Sequence, residues 1–364
     1  MKMPVYFAGI IVLILVSCAG NETTQNQIDL SQLPVVKPEK IVELDETGGR
    51  FFQHLNYYTA VKENGSVILN DRQGAFVAEI NSEGEFQKMV AIEGRGPGEI
   101  QDVLSMSLRN DELLMYDQRR KRIIYKDLEE EIIDEFEGIR SDFLQPTKVY
   151  FTSNDSLLLT ELWSSAYLEM EDRTPEISFV LSEFGNTEIL DQVTYPSKNY
   201  ARMFVDGNLV GATAVPFAPD LLYDISPDFE SMYVFWSENG QIAELSLTTF
   251  DTLRTIPLPL SGDEVNSVEL DSLRDAYGER WKDLKNHIPE IKALADKMIV
   301  DDKNRFWLQL NRYSDFQEWL VADQNGNPLK IVQFPKGVMV THVSEHHIGV
   351  RLDDHLFALY EAVD

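Results

Sequence analysis

Arginine is the residue type here best suited to recognition chemistry. Arg72, Arg95, Arg119, Arg120, Arg312 and Arg351 all stand in or beside turn-rich stretches. A guanidinium presents a planar fork of donors that suits a carboxylate or sulfate in bidentate fashion. Trp163, Tyr167 and Tyr313 fall in comparable stretches, and their flat faces could stack on sugar rings. Gly94-Arg95-Gly96-Pro97-Gly98-Glu99 is glycine-rich, yet it lacks the Gly-Lys-Ser/Thr of a phosphate loop and joins strand to strand. A tight turn with Arg95 or Glu99 pinning neighbouring loops is the plainer reading. His342, His346 and His347 cluster across one expected hairpin and His355 follows, but no cysteine or HExxH helix supports zinc. They read as partly exposed polar residues. Asp301-Asp302 and Asp323-Gln324-Asn325-Gly326-Asn327 offer hard oxygen ligands, without the bidentate acid that completes a calcium loop. There is no Gly-x-Ser-x-Gly elbow, and with 61 acidic residues any carboxylate pair is cheap. No catalytic set, metal or cofactor is expected.

The only cysteine, Cys18, follows Leu15-Val16-Ser17 and the apolar run Val5 to Val16, with Lys2 ahead of it. A cationic start, an apolar core and small residues before a cut site describe a secretory signal. The run is shorter than the about 20 residues that span a bilayer. Leu-Val-Ser-Cys resembles the bacterial lipobox, which implies a signal peptide over 1–17, cleavage before Cys18 and lipidation of its thiol. Residues 18–38, polar with Pro34 and Pro38, read as a tether. A disulfide framework is excluded. The formal charge of −29 becomes −30 once Lys2 leaves with residues 1–17. Such a surface repels phosphate backbones and anionic lipid heads, so nucleic acid is not expected and only the acyl anchor would reach a membrane.

What must position these side chains is a repeat. Asn64 to Asn70, Ala75 to Ile80, a turn at Asn81-Ser82-Glu83-Gly84 and a run from Glu85 to Ala91 make strand, strand, hairpin turn, strand. The order recurs at Asn110 to Tyr116 with Arg122 to Tyr125, at Asn154 to Leu159 with Ile177 to Leu181, at Asp220 to Tyr223 with Met232 to Phe235, and at Arg305 to Leu308 with Glu318 to Val321. Gly84, Gly185, Gly240 and Gly326 are each expected to close the turn after a third strand, where positive φ is needed. Apolar runs ahead of the units, such as Lys297 to Val300, supply a fourth strand. Four strands per repeat of about 45 residues mark a β-propeller. The units fall near 52–92, 102–137, 146–193, 207–258, 295–334 and 338–361. The last lacks a strand, and Ile41-Val42-Glu43-Leu44 would supply it and close the ring. The fold expected over 39–364 is therefore an all-β, six-bladed β-propeller. Residues 264–294 break the rhythm: Leu270, Leu273, Tyr277, Trp281, Leu284 and Ile288 recur at threes and fours. They predict a helix over about 265–288, interrupted by Pro289, packing on the ring or docking a partner.

Gly94 to Glu99 resembles the Gly-x-Gly-Pro-Gly-Glu signature of six-bladed, TolB-like propeller lipoproteins of Bacteroidetes. Ile299 to Leu308 is similar to that family's Val-Asp-x-x-Gly-x-Leu-Trp-Val blade, with Asn304 where glycine is usual. The likeness covers most of 39–363 and implies a fold and an envelope location, at the outer membrane. It brings no catalytic set, since the family is largely of unknown function. On a propeller frame, Arg72, Arg95, Glu99, Arg119, Arg120, Trp163, Tyr167, Arg312, Tyr313 and Arg351 fall at one end of the ring. There they would form a mouth for a glycan, peptide or protein partner, unless the arginines pair with acidic neighbours. The alternatives are a metal-dependent lactonase- or lyase-like propeller and a structural subunit that docks a partner through the helix.

Overall fold

The structure, a computed structural model, describes residues 29–130, 133–139, 144–164, 175–196, 200–205, 208–238 and 240–364. Cys18 and Tyr167 lie outside the described residues.

Six four-stranded antiparallel sheets follow one another along the chain. Blade 1 is Ala60–Val61, Val67–Asp71, Phe76–Ile80 and Phe86–Ile92. Blade 2 is Val103–Arg109, Glu112–Asp117, Arg122–Asp127 and Ile133–Glu137. Blade 3 is Leu144–Phe151, Leu157–Ser164, Glu176–Glu183 and Ile189–Pro196. Blade 4 is Leu221–Ile225, Ser231–Trp236, Gln241–Ser246 and Thr252–Pro257, and blade 5 is Ala295–Val300, Phe306–Leu310, Phe316–Ala322 and Pro328–Pro335. Blade 6 takes Met339–Val343, His347–Arg351 and Phe357–Glu361 from the end of the chain and its outermost strand, Lys40–Leu44, from the start. Val42, Glu43 and Leu44 pair antiparallel with Leu359, Ala358 and Phe357. The closure expected from Ile41–Leu44 is thus present, and the molecule is a six-bladed β-propeller.

Six of the hydrophobic clusters each sit between two neighbouring blades. Ile68 and Val77 meet Leu113 and Met115 across blades 1 and 2, and Trp307 and Trp319 meet Val340 and Ile348 across blades 5 and 6. Leu69 and Phe76 meet Phe357, Leu359 and the partly buried Val42 and Leu44 at the seam where the ring closes. A strand inside a blade is therefore covered on both faces, and Val67–Asp71 and Phe76–Ile80 are buried at every position. This explains why the middle strands read as short apolar runs and not as alternating patterns.

Three features differ from the expected layout. The fourth unit begins at Leu221, not near 207. Asn208–Ala214 instead pairs with Tyr200–Val205 as an inserted hairpin. Leu221–Ile225 is consequently the first strand of blade 4, and Gly240 closes the turn after its second strand, whereas Gly84, Gly185 and Gly326 follow third strands as expected. All four have positive φ, which both turns demand, so glycine does not report which turn it closes. The third difference is at the predicted tether. Residues from Asp29 onward are built into the fold: Leu30 and Leu33 pack on the core between blades 4 and 5, and Val35–Val36 adds a parallel fifth strand to blade 5 beside Ile331 and Val332.

The helical insertion runs Ser267–Tyr277, turns through Gly278–Arg280 and ends with Trp281–Leu284. Asn266 and Glu269 form a reciprocal capping box at its start. Tyr277, Trp281, Leu284 and Ile288, four of the predicted stripe, pack with Ala201, Val215 and Ala218 beside the hairpin. Gly278, with φ 54, breaks the helix ahead of Pro289. Asn304, where the resembled family has glycine, adopts φ 56, a left-handed conformation that Asn tolerates better than other side chains.

Candidate functional site at the channel mouth

In an up-and-down blade, first-to-second and third-to-fourth connections open at one end of the ring. Second-to-third and blade-to-blade connections open at the other. The hairpin and the helical insertion are both blade-to-blade connections, so the second end is called the insertion end here.

The predicted arginine set does lie at the insertion end, and most of its described members meet acidic or backbone acceptors. Arg72 donates twice to Asp102, at 2.7 and 2.9 Å. Arg120 Nη1 donates to the Arg95 carbonyl at 2.9 Å. Arg312 bonds Glu318 at 3.1 Å and lies 3.8 Å from Asp263, and Arg351 pairs with Asp354. Arg72 and the exposed Arg119 border a cavity of about 460 Å³ with His54 and Asp102. Tyr313 is exposed beneath Lys336, whose Nζ lies 5.6 Å from the ring centre. Trp163 sits in the second strand of blade 3 opposite Gln145 and Ile177.

Glu99 closes its own loop. Its Oε2 accepts from Gly96 N at 2.6 Å, and a Cβ on Gly94 would fall 2.0 Å from that oxygen. Gly98, with φ +71, donates to Glu135 Oε1 at 2.8 Å. Arg122 binds both the Glu99 carbonyl and the Glu135 carboxylate. The Gly-Pro-Gly-Glu segment is a self-capped turn bolted to the outer strand of blade 2.

A cavity of about 1090 Å³ opens at the opposite end, around the channel mouth. Every blade contributes a first-to-second connection or its flank: Thr59 to Glu63, Leu108 to Glu112, Ser153 and Asp155, Asp224 to Phe229, Val300 to Lys303, and His342 to His346. Among its described lining residues, the carboxylates of Glu63, Glu112, Asp155, Asp224, Asp228, Asp302 and Glu345 face only the cations Lys62, Arg109 and Lys303. Lys62 is already held by Asp111 at 2.5 Å, and Arg109 by Glu112 at 2.7 Å and Asp155 at 2.9 Å. The mouth therefore carries net negative charge, which raises the local concentration of cations.

At one wall of this mouth two imidazoles form a relay. His347 Nε2 lies 2.6 Å from the Gly65 carbonyl, so that nitrogen bears the proton and Nδ1 is bare. His347 Nδ1 accepts from His342 Nε2 at 3.1 Å, and His342 Nδ1 accepts from the Thr59 hydroxyl at 2.6 Å. Both rings are buried, not partly exposed as the sequence suggests. Burial and the neighbouring imidazole hold His342 well below the usual histidine range, and burial also lowers His347. The relay stitches blade 6 to blade 1, across the seam.

Deeper in the channel, the innermost strands bring in polar groups that the sequence reading passed over. Lys148 Nζ donates to Tyr223 Oη at 2.7 Å and lies 3.4 Å from Glu161. It also stands 5.1 Å from the Tyr58 ring centre, so side chains of blades 1, 3 and 4 converge. Lys297 donates to the Val340 carbonyl at 2.5 Å; burial foremost, then the charge of Lys148, brings its amine down to about 8. The available signal was a lysine interrupting an apolar first strand, as in Thr147-Lys148-Val149 and Asp296-Lys297-Met298. Among the described residues, no three His, Cys, Asp or Glu side chains converge closely enough to hold a metal ion.

No family model matches the chain, and no curated protein matches it. Among solved structures, a member of the duf4221 family from Bacteroides vulgatus superposes with a TM-score of 0.52 at 11% identity, over 88% of this chain and 96% of that one. A protein described as exported, from Bacteroides fragilis, gives 0.49 at 12% over 91% and 99%, and virginiamycin B lyase from Staphylococcus aureus gives 0.44 at 12% over 88% and 99%. At such identities the likeness reaches the fold and goes no further.

Proposed function

We propose that this chain is an exported, lipid-anchored binding protein of the bacterial envelope, of the TolB-like propeller lipoprotein kind. It holds a glycan, peptide or protein partner at the channel mouth opposite the insertions. One observation carries the choice of end: all six blades line a single cavity of about 1090 Å³ there. At the insertion end, by contrast, the arginines are largely engaged with their own neighbours. The excess of carboxylates favours a partner whose contacting part is cationic or uncharged. Envelope attachment would come through Cys18.

Two experiments test this reading. Peptide and glycan arrays probed with residues 29–364 identify binders, which are then titrated against the Asp228→Lys/Asp302→Lys variant. Loss of binding with an unchanged melting temperature supports the mouth. Binding that survives there but falls in Arg72→Ala/Arg119→Ala moves the site to the insertion end. Independently, Cys18→Ala should abolish incorporation of labelled fatty acid and release the chain from the membrane fraction.

A further inference from the structure

Five of the six histidines reach across the seam where the ring closes, between blade 6 and the chain entering blade 1. Toward the mouth, His342 Nδ1 accepts from the Thr59 hydroxyl at 2.6 Å. His347 Nε2 donates to the Gly65 carbonyl at 2.6 Å, and His346 Nε2 to the Glu63 carbonyl at 2.9 Å. Toward the insertion end, His355 Nδ1 donates to the Phe52 carbonyl at 3.2 Å, and His54 Nδ1 lies 3.4 Å from Asp354. Glycines seat two of the rings: a Cβ on Gly349 would fall 2.0 Å from the His342 ring, and one on Gly65 2.9 Å from that of His346. The closing seam is thus the junction whose bonds answer to pH near neutrality.

These contacts do not answer a proton alike. His346 and His355 donate to carbonyls whether neutral or charged. A proton on His54 meets the Asp354 carboxylate and is favoured by Asp71, although burial foremost, then Arg351, Arg72 and His355, hold that ring below its ordinary range. Between His342 and His347 one proton already fills the space. A second must face the His342 N–H or settle on His342 Nδ1. The charged groups that bear on the two rings are one another, His346 and Lys297, cations all. The added charge is then buried with no counter-charge, and parting the strands to hydrate it becomes favourable.

We propose that the seam is an acid-operated latch: protonation of the His342–His347 pair parts blade 6 from blade 1 at the mouth end, while the insertion end stays shut as a hinge. The hinge is held by contacts that do not titrate. Phe52 and Leu55 pack with Phe357 and Leu359, and Leu55 N donates to the Asp354 carbonyl at 2.9 Å. Thr59, His342 and His346 all line the cavity of the mouth. Opening the latch therefore unmakes one wall of that cavity, whatever the cavity binds.

Hydrogen exchange followed by mass spectrometry on residues 29–364 tests the latch, with rates corrected for the intrinsic pH dependence of amide exchange. Between pH 7.5 and 5.5, segments 59–68 and 339–350 should exchange about tenfold faster for each histidine that is protonated only when the seam is open. Over the same labelling times Leu157–Ser164 and Ser231–Trp236, in blades 3 and 4, should remain protected, which separates local opening from global unfolding. His342→Gln/His347→Asn should remove the response of the seam to pH. That expectation concerns the change with pH and not the rate itself, so it holds whether the variant's seam is tight or loose. A seam indifferent to pH, a seam that exchanges together with blades 3 and 4, or a variant that keeps the full response overturns the latch.

Discussion

Glu99 and the His342–His347 pair show how a residue type misleads about its task. Glu99 sits in an exposed-looking glycine-rich loop, yet its carboxylate caps Gly96 N and fills the space a Gly94 side chain would need. Glu99→Ala should lower stability by about 1–3 kcal/mol, the cost of an unsatisfied charge-assisted bond, read by urea titration. Arg95→Ala/Arg119→Ala, both exposed, should leave both melting temperature and ligand binding nearly unchanged. The two imidazoles predict a pH dependence. Both are held below the ordinary histidine value, so the unfolded chain takes up protons first as pH falls. Their contribution is complete above about 6.5 and is lost progressively below it, toward their lowered folded values. Urea midpoints measured between pH 7.5 and 5 should fall, and the slope should flatten in His342→Gln/His347→Asn. An unchanged slope would mean that the relay does not hold the seam.

At the scale of elements, the ends of second strands recur as docking posts. Asp71, the last residue of its strand, accepts from the backbone N–H groups of His54 and Gly74. Asp117, in the same place one blade later, accepts from Gln101, Asp102 and Arg120. Each ties a blade-to-blade connection to the blade it enters. Both are fully buried, so Asp117→Ala should strand several donors at once and cost more than Glu99→Ala on the same urea scale. The helix is a separate case. Its capping box predicts that Asn266→Ala costs about 1 kcal/mol, and because its apolar residues cover the hairpin that loss should appear in local hydrogen exchange before it appears in the global transition.

For the whole molecule, closure is the decisive act. A ring whose last blade lacks its outer strand leaves Phe357–Glu361 as an open edge and bares Phe357 and Leu359 beside blade 1. A chain starting at Asp29 should therefore unfold in one transition, while one starting at Glu46 should aggregate or lose that cooperativity, as followed by calorimetry and light scattering. By itself the sequence determined the repeat, the number of blades, the closing strand and the helix, because each depends on local periodicity or on one pattern echoed at intervals. Only the tertiary structure decided which apolar run becomes the first strand of blade 4, since Asn208–Ala214 and Leu221–Ile225 are equally strand-like and pairing partners choose between them. It also decided how each end of the ring is furnished, with arginines paired to their neighbours at one and a carboxylate-rich cavity at the other. Channel chemistry comes from single residues on different blades, such as Lys148, Asp224 and Lys297, and nothing in their spacing along the chain records that the ring brings them within reach of one another.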